Sequence, residues 1–473
     1  MTEMTSAQTT AEAALGGERS PSLAARIRSR RIRRGIGLTM LWAIVLGNAA
    51  AIVWMWAHGE GNLNLQPTAD LFNSIGRITG LLGAYLALIE IVLLARLPWL
   101  ERLAGFDRLT VWHRWNGHLC LWLILAHVVF QVWGYAMIDI PPKSFLDEFW
   151  FLLSGGFLPG MVTATVGTVL IIVVTWSSIV IVRRHLSYEL WYAVHLTAYA
   201  GIALAYFHQI PTGLELVKSP GWATYWNSLY LVTLALVAWR VASPFWNAFW
   251  HRMRVADVVQ EGPGVVSLRI VGRRLDRINV QAGQFFIWRF LSRRFWWAPL
   301  PFSLSEAPKG ESLRITAKDL GNHSARMDRI KPGTRVVAEG PFGVFTDAFR
   351  TREKVLLVAG GIGITPVRAL VEVMEGDVIV LYRVVSDEDL VFASELDELA
   401  ATRGITVLPV IGDHRTPEGR ELLSPAHLRE LVPDVVEREV YLCGPPAMTE
   451  VLEGELRRAG VPRKHLHIER FAL

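Results

Sequence analysis

Two apolar segments that each carry a histidine at both ends constrain this chain more than any other feature. They are residues 113–127 and 195–208. In one α-helix, the 14-residue spacing of the first pair gives a rise of about 21 Å and a rotation of roughly 320°, so both imidazoles leave nearly the same face. The 13-residue spacing of the second pair gives a rotation of roughly 220°, so its two histidines share a face only if the helix tightens or kinks. Gly201 is the obvious place for such a kink.

The matching spacings predict that these histidines bind metal. Two parallel helices would bring His113 opposite His195, and His127 opposite His208, so each pair would clamp one haem. The alternative is that the imidazoles are buried polar groups bonded to helix carbonyls. Polar groups inside a membrane are costly and tend to mark function, so four of them in matching pairs favour two stacked bis-histidine haems.

The composition predicts a protein that is partly embedded in a membrane. The chain has 473 residues, of which 52% are hydrophobic, and its mean hydropathy is +0.31, which is too apolar for an ordinary soluble protein. Segments of spanning length lie at about 36–57, 71–95, 113–135, 157–182, 189–208 and 223–242. The two cysteines are too few to hold an iron–sulfur cluster, which takes four protein ligands.

The charges predict the topology of these six spans. Arginines concentrate after the second, fourth and sixth segments, so the positive-inside rule places both termini in the cytoplasm of a multi-pass protein of the cell membrane. His113 and His195 then form the inner pair, and His127 and His208 the outer pair. The net charge of +5 is explained by this topology, and binding to nucleic acid is not expected.

The texture of the sequence divides the chain into four parts. Residues 1–34 read as a disordered basic tail and residues 35–250 as the six-helix membrane domain. Short alternating strands separated by Gly/Pro turns predict an antiparallel β-barrel over residues 251–350. Strands that alternate with helices predict a parallel α/β domain over residues 351–473.

Two motifs of the α/β part predict a dinucleotide site. A glycine-rich turn joins a strand to a helix and contains Gly360, Gly361, Gly363, Thr365 and Pro366. Glycines at such a turn let backbone N–H groups approach a pyrophosphate at the helix N-terminus. The second motif places Cys443, Gly444 and Pro445 at the end of another strand, on the same carboxyl edge of the sheet, where ligands bind.

Two motifs of the barrel and the chain terminus complete the pattern. A barrel segment with Pro301, Phe302 and Ser303 offers a hydroxyl that could bond a flavin edge. A Gly-led turn offers amides for a second pyrophosphate; its residues are Lys318, Gly321, Asn322, His323 and Ser324. An aromatic residue, Phe471, lies near the end of the chain. Each piece also has an ordinary structural interpretation, such as a turn or a core residue, but together and in this order they favour a cofactor module.

From about residue 35 onward, the chain resembles the ferric reductase and NADPH oxidase superfamily, and above all its bacterial ferredoxin reductase members. The resemblance implies a six-helix domain with two b-type haems, joined to a ferredoxin-NADP reductase-like module that binds FAD and a nicotinamide nucleotide. It places Ser303 at the flavin N5, residues 321–324 at the flavin pyrophosphate, and Phe471 over the flavin until nicotinamide displaces it. Leu300 stands where the family motif has His, so one usual polar contact to the flavin is missing.

The resemblance also implies the function. Electrons would pass from cytoplasmic NAD(P)H through FAD and both haems to a small extracytoplasmic acceptor, either a ferric chelate or oxygen. The residues expected to take part in catalysis are Ser303, Cys443, Phe471 and Arg77. Arg77 would pair with a haem propionate or attract an anionic acceptor, and its alternative is a snorkelling side chain.

Four questions stay open at this level. Arg383 ends the second parallel strand, where a guanidinium could grip a 2′-phosphate and favour NADPH over NADH, or could be a solvated surface group. Gln131 lies one turn beyond His127, where oxygen-reducing oxidases have a His, which weakens the case for superoxide formation. A different function is an electron conduit that feeds a dedicated extracytoplasmic redox partner. The oligomeric state is not constrained.

Overall fold

The computed structural model of the chain describes residues 22–470, apart from residues 60, 64–67, 140, 155–157, 294, 322–323 and 414. The chain folds into two compact units. One comprises residues 37–243, and the other comprises residues 244–473 together with the N-terminal residues up to 36.

Helices dominate the first half of the chain. Helices α1 to α10 span Leu23–Ala57, Thr68–Leu93, Pro98–Ala104, Phe106–Ala136, Phe145–Leu153, Met161–Ser178, Val180–Arg183, Tyr188–Thr212, Leu214–Lys218 and Pro220–His251. Within the described residues, six of them are long and apolar enough to cross a membrane, namely α1, α2, α4, α6, α8 and α10. The predicted number of spans is therefore confirmed.

The first helix begins earlier than its composition predicts. Residues 23–34, assigned to a disordered tail, form the first turns of α1, and the preceding residues 1–21 lie outside the described part of the chain. Arg26 pairs with Glu375, and Arg30 Nη1 lies 2.5 Å from Asp347 Oδ2. Because these arginines are one helical turn apart, acidic groups distant in sequence favour a helix that local composition does not predict.

Small residues set the packing of the membrane helices. Helix α2 packs on α4, where a Cβ at Gly80 would collide with the His127 ring, and helix α6 packs on α8, where Gly167 and Gly201 face each other. Ser187 caps α8 by accepting a hydrogen bond from the Leu190 amide at 3.2 Å. The helix then runs from Tyr188 to Thr212 without a 3₁₀ or π turn, so the tightening expected at Gly201 is not observed.

Residues 254–342 form an antiparallel barrel. Strands β1 to β6 span Arg254–Gly262, Val265–Val271, Phe285–Phe290, Leu300–Ser303, Ser312–Lys318 and Val336–Phe342. They pair in the orders β1-β2-β5 and β4-β3-β6, and bridges between Arg254 and Arg335 and between Leu304 and Ile315 join the two sheets. The sequence predicted β2, β3, β5 and β6. It did not predict β1, whose side chains are mostly exposed, or the four-residue β4, which contains a proline.

Residues 355–470 form a parallel α/β layer. Strands β7 to β11 span Val355–Gly360, Val378–Val384, Thr406–Ile411, Glu439–Gly444 and Leu466–Arg470. Helices α11 to α15 span Ile364–Val371, Ala393–Arg403, Pro417–Glu421, Pro425–Leu431 and Pro446–Arg458. The strand order is β11-β10-β7-β8-β9: β8 and β9 are added on one side of β7, and β10 and β11 on the other. The order therefore reverses between β7 and β10, whose residues are all buried.

Candidate functional site

The four membrane histidines meet in the predicted pairs. The ring centres of His113 and His195 lie 6.0 Å apart, and those of His127 and His208 lie 6.2 Å apart. A metal ion held between two imidazole nitrogens at about 2 Å from each would put the ring centres roughly 6 Å apart. Among the described residues there is no group of three or more His, Cys, Asp or Glu side chains suited to a metal ion. Two imidazoles per site therefore fit a haem iron, for which the protein supplies only axial ligands.

In three of these histidines a neighbouring group contacts Nδ1, which leaves Nε2 as the nitrogen to bind metal. Nδ1 of His127 lies 2.7 Å from the Gly76 carbonyl oxygen, and Nδ1 of His195 lies 3.2 Å from Ser178 Oγ. Nδ1 of His113 lies 2.8 Å from Glu90 Oε1, in a geometry bent away from an ideal hydrogen bond. Metal-binding histidines usually have such a carbonyl or carboxylate partner, because it fixes the tautomer and the ring orientation.

Arg77 belongs to a buried polar network at one end of α2. Its Nε donates to Asn62 Oδ1 at 2.7 Å and lies 3.5 Å from Glu215 Oε1. The Asn62 amide in turn donates to Glu215 at 2.6 Å. Arg77 is therefore held in place by its neighbours, unlike a snorkelling arginine that extends freely to the interface.

Gln131 is also engaged. Its side-chain amide donates to the backbone carbonyl of Asn73 at 2.9 Å, one turn beyond His127. One of its two N–H donors is thus used within the protein.

The two glycine motifs of the α/β layer meet at its carboxyl edge, as predicted. A Cβ at Gly363 would collide with the Cys443 carbonyl, and a Cβ at Gly360 would collide with the Met448 sulfur. Gly361 has a φ of +51°, a conformation that side chains with a Cβ rarely adopt. Pro445 precedes α15, and the turn before α11 lies beside it. The loops that follow β7 and β10 flank the point where the strand order reverses, which is where open α/β sheets bind their ligands.

The remaining nucleotide-motif residues are buried. Thr365 donates its hydroxyl to the Ile362 carbonyl at 3.0 Å, and Pro366 lies in the first turn of α11. The Cys443 thiol is fully buried in the core, and burial raises its pKa well above the usual value. A thiol in that state is neutral at physiological pH, so it cannot act as a thiolate.

Arg383 lies at the predicted strand end but is not a solvated surface group. It is 9% exposed, and its guanidinium donates to the carbonyls of Val384, Val410 and Gly419 at 2.8, 3.1 and 3.2 Å. Burial lowers its pKa, and the charge of Asp413 acts against this shift. Arg383 therefore joins the end of β8 to β9 and to the short helix Pro417–Glu421.

The flavin-motif residues lie in the barrel. Ser303 is buried at the end of β4, and Pro301 and Phe302 precede it. Leu300 pairs with Trp288 of β3. The lack of a polar group at Leu300 is thus matched by apolar packing within the barrel.

The Gly-led turn is organised by its own side chains. Gly321 has a φ of +94°, and its amide donates to Asp319 Oδ1 at 2.9 Å. Ser324 accepts a hydrogen bond from the Leu320 amide at 3.1 Å, and Lys318 lies 3.0 Å from Asp389 of the α/β layer. The predicted site residues Asn322, His323 and Phe471 lie outside the described residues.

Sequence reasoning missed two features near these sites. Glu90 is an acid in an apolar helix, and it contacts His113. Strand β11 was not predicted; it pairs with β10 so that Arg470 lies opposite Gly444 at the carboxyl edge. The signal for β11 was its alternating pattern, which is only five residues long.

Comparisons with known proteins identify both halves of the chain. The family model for ferric reductase-like transmembrane components matches residues 79–206, and the model for oxidoreductase NAD-binding domains matches residues 357–453. The chain is 30% identical over 190 residues to ferredoxin–NADP reductase B of Sorangium cellulosum. This alignment covers 36% of this chain and 77% of that protein.

Other relatives align with the reductase half. The ferredoxin reductase component of 3-ketosteroid-9-alpha-monooxygenase from Mycolicibacterium smegmatis is 32% identical over 232 residues, which is 46% of this chain and 65% of that protein. The flavohaem-like FAD/NAD-binding domain of nitric oxide dioxygenase from Vibrio cholerae matches with a TM-score of 0.40 and 24% identity, over 47% of this chain and 98% of that domain.

The fold and these matches define a membrane oxidoreductase with a nicotinamide-binding module. The reductase half of the chain belongs to the ferredoxin–NADP reductase family, and the membrane half matches the model for ferric reductase-like transmembrane components.

Proposed function

We propose that this protein is a transmembrane reductase that carries electrons from cytoplasmic NAD(P)H through FAD and two b-type haems to a ferric chelate outside the cell. The observation that carries the proposal is the pairing of His113 with His195 and of His127 with His208, at ring-centre distances of 6.0 and 6.2 Å. Two such pairs, one towards each leaflet, are what a path across a membrane requires.

The residues of the chain divide the task. When bound, FAD supplies the exchange between the two-electron hydride of nicotinamide and the one-electron couples of haem. The glycine turn around Gly361 and the loop around Gly444 would hold the nicotinamide nucleotide where the strand order reverses. Ser303 would face the flavin, with residues 321–324 at its pyrophosphate. The histidine pairs would hold the two haem irons, and the Nδ1 contacts of His127 and His113 would orient the imidazole rings.

Two observations favour a ferric chelate over oxygen as the acceptor. Iron bound by two histidines has no open position for a ligand. One of the two N–H groups of the Gln131 amide, which could otherwise donate to bound oxygen, is bonded to the Asn73 carbonyl at 2.9 Å. Arg77 follows Gly76, whose carbonyl contacts His127, but its charge is balanced by Glu215 at 3.5 Å, so it gives no preference between an anionic chelate and oxygen.

The direction follows from the charges of the loops. The arginine-rich loops after the second, fourth and sixth spans favour a cytoplasmic location for both termini and for the nicotinamide site. Electrons would then move outward. A membrane potential that is negative inside would favour this transfer, and one that is positive inside would oppose it, by about 2.3 kcal/mol per electron for each 100 mV. Because outward movement of negative charge removes charge from a negative interior, transfer should depolarise the membrane.

Sealed proteoliposomes sorted by orientation test the proposal. With NADPH on the cytoplasmic face and an impermeant ferric chelate on the other, we expect steady chelate reduction by the purified protein alone, with superoxide measured in parallel. Reduction only when both reagents share one face would contradict transmembrane transfer. Superoxide as the main product would replace the chelate with oxygen, and activity only after a partner protein is added would favour the electron conduit.

A further inference from the structure

One carboxylate inside the membrane domain contacts a predicted haem ligand. Glu90 lies near the end of α2, and its Oε1 is 2.8 Å from Nδ1 of His113 on α4. Both side chains are 20% exposed. An acidic group in an apolar helix is costly, so its contacts indicate what it does there.

The carboxylate is held from both sides. Its Oε2 accepts a hydrogen bond from Asn116 Nδ2 at 2.5 Å, and the same amide donates to the Leu86 carbonyl at 2.9 Å. On the other side, a Cβ at Gly117 would lie 2.8 Å from Glu90 Oε1, so the glycine leaves room for the carboxylate. The position of Glu90 beside His113 is therefore built into two neighbouring positions of α4.

The negative charge is directed at the histidine. Among the ion pairs of the described residues, His113 is the only cationic or cation-forming partner of Glu90. Buried acids elsewhere in this unit differ in this respect: Glu148 lies 3.3 Å from Lys143, and Glu215 lies 3.5 Å from Arg77. The charge of Glu90 is thus not neutralised by a lysine or arginine, and it acts on the His113 ring.

The two histidine pairs differ in this contact. In the outer pair, Nδ1 of His127 faces a backbone carbonyl, and Nδ1 of His208 has no hydrogen-bond partner within the described part of the chain. In the inner pair, Nδ1 of His195 lies beside the Ser178 hydroxyl, and only His113 faces a carboxylate. The environment of the inner pair is therefore more negative than that of the outer pair.

We propose that Glu90 is a positioning residue that orients His113 and makes the inner haem the one of lower midpoint potential. This rests on the proposed function, because it requires haem at both pairs. A carboxylate beside the ring nitrogen raises the basicity of the ligand, and its negative charge favours ferric over ferrous iron. Electron transfer from the inner to the outer iron would then be energetically downhill. The inner iron would be oxidised and the outer iron reduced, and no bond would change.

Redox titration of the purified full-length protein tests this inference. Glu90→Gln keeps the size of the side chain and one of its two acceptor oxygens but removes its charge. We expect both haems to be retained and the lower midpoint potential to rise by about 59 mV. For a one-electron couple, this shift corresponds to a tenfold higher ferrous-to-ferric ratio at a fixed potential. The higher potential should move less. Repeating the titration with His127→Ala, which should retain only the inner haem, assigns the shifted potential.

A second variant and a control sharpen the test. Gly117→Ala leaves the charge of Glu90 in place but would bring a Cβ within 2.8 Å of its Oε1, so the carboxylate must shift. Because its contact with His113 is already 2.8 Å, the shift should lengthen that contact, and the lower potential should rise in this variant too. It also decides the matter if Glu90→Gln does not fold. Glu148→Gln removes a more deeply buried charge in the same unit, away from the four histidines, and should leave both potentials unchanged.

The outcomes separate this inference from the proposed function. An unchanged lower potential in Glu90→Gln or, failing that variant, in Gly117→Ala would overturn the role of Glu90, as would an equal shift in Glu148→Gln. If the unsubstituted protein bound two low-spin haems, the proposed function would survive that result. Fewer than two haems in the unsubstituted protein would overturn both.

Discussion

Removal of one outer histidine should halve the haem content of the protein. His127 and His208 form one ring pair at 6.2 Å, and the inner pair stands separately at 6.0 Å, so His127→Ala or His208→Ala should lower the content from two haems per chain to one. The remaining haem should keep a low-spin spectrum. Reduction of the flavin by NADPH should continue, because the nicotinamide motifs lie in the other unit of the chain.

The structure also predicts a difference between the two variants. Nδ1 of His127 bonds the Gly76 carbonyl at 2.7 Å, whereas Nδ1 of His208 has no hydrogen-bond partner among the described residues. A buried hydrogen bond contributes about 0.5–1.5 kcal/mol, so His127→Ala should be less stable than His208→Ala by about 1 kcal/mol. Thermal unfolding of both variants without haem measures this difference.

The assay is the ratio of extracted haem to extracted FAD, with a redox difference spectrum and stopped-flow reduction of the flavin. His118→Ala is the matched control, because His118 lies on the same helix, is exposed, and contacts the Arg114 carbonyl through Nδ1. It should retain both haems. Full haem content in either outer variant would refute bis-histidine ligation by this pair.

The remaining predictions concern the reductase module. Arg383→Ala should destabilise the loop after β9, since three carbonyls lose their donor, and if Arg383 also grips a 2′-phosphate the variant should lose preference for NADPH; an unchanged NADPH-to-NADH ratio of kcat/KM would exclude that second role. Removal of residues 471–473 should tighten nicotinamide binding, because an aromatic that covers the flavin must be displaced at a cost in binding energy; equal affinity measured by titration would argue against such a cover. Burial disfavours the Glu439 carboxylate, but the hydrogen bond and charge of His467, with Thr351, more than offset this and hold its pKa below the usual value. The stability it contributes is therefore present above the unfolded-state pKa of about 4.3 and is lost as the pH falls through the lower folded-state pKa. Glu439→Gln should lower the Tm at neutral pH and flatten its decline in acid, and parallel Tm–pH curves would disprove this.

The sequence by itself determined the features that depend on local patterns. Apolar length predicts the membrane spans, the 14- and 13-residue spacings predict the histidine pairs, and glycines at strand ends predict the meeting of the loops after β7 and β10. Each of these is visible in a short window, because helix and strand periodicity fix which side chains share a face or an edge.

Only the tertiary structure decided the features that join distant residues. Arg383 satisfies the predicted position, but it is buried because carbonyls from two other segments surround it. The helix at residues 23–34 contacts acids more than three hundred residues away, and β11 exists because it pairs with β10. Glu90 is an isolated acid in the sequence and becomes a partner of His113 only when α2 packs on α4. No local pattern encodes these contacts, since their free energy arises only when separate segments pack and exclude solvent.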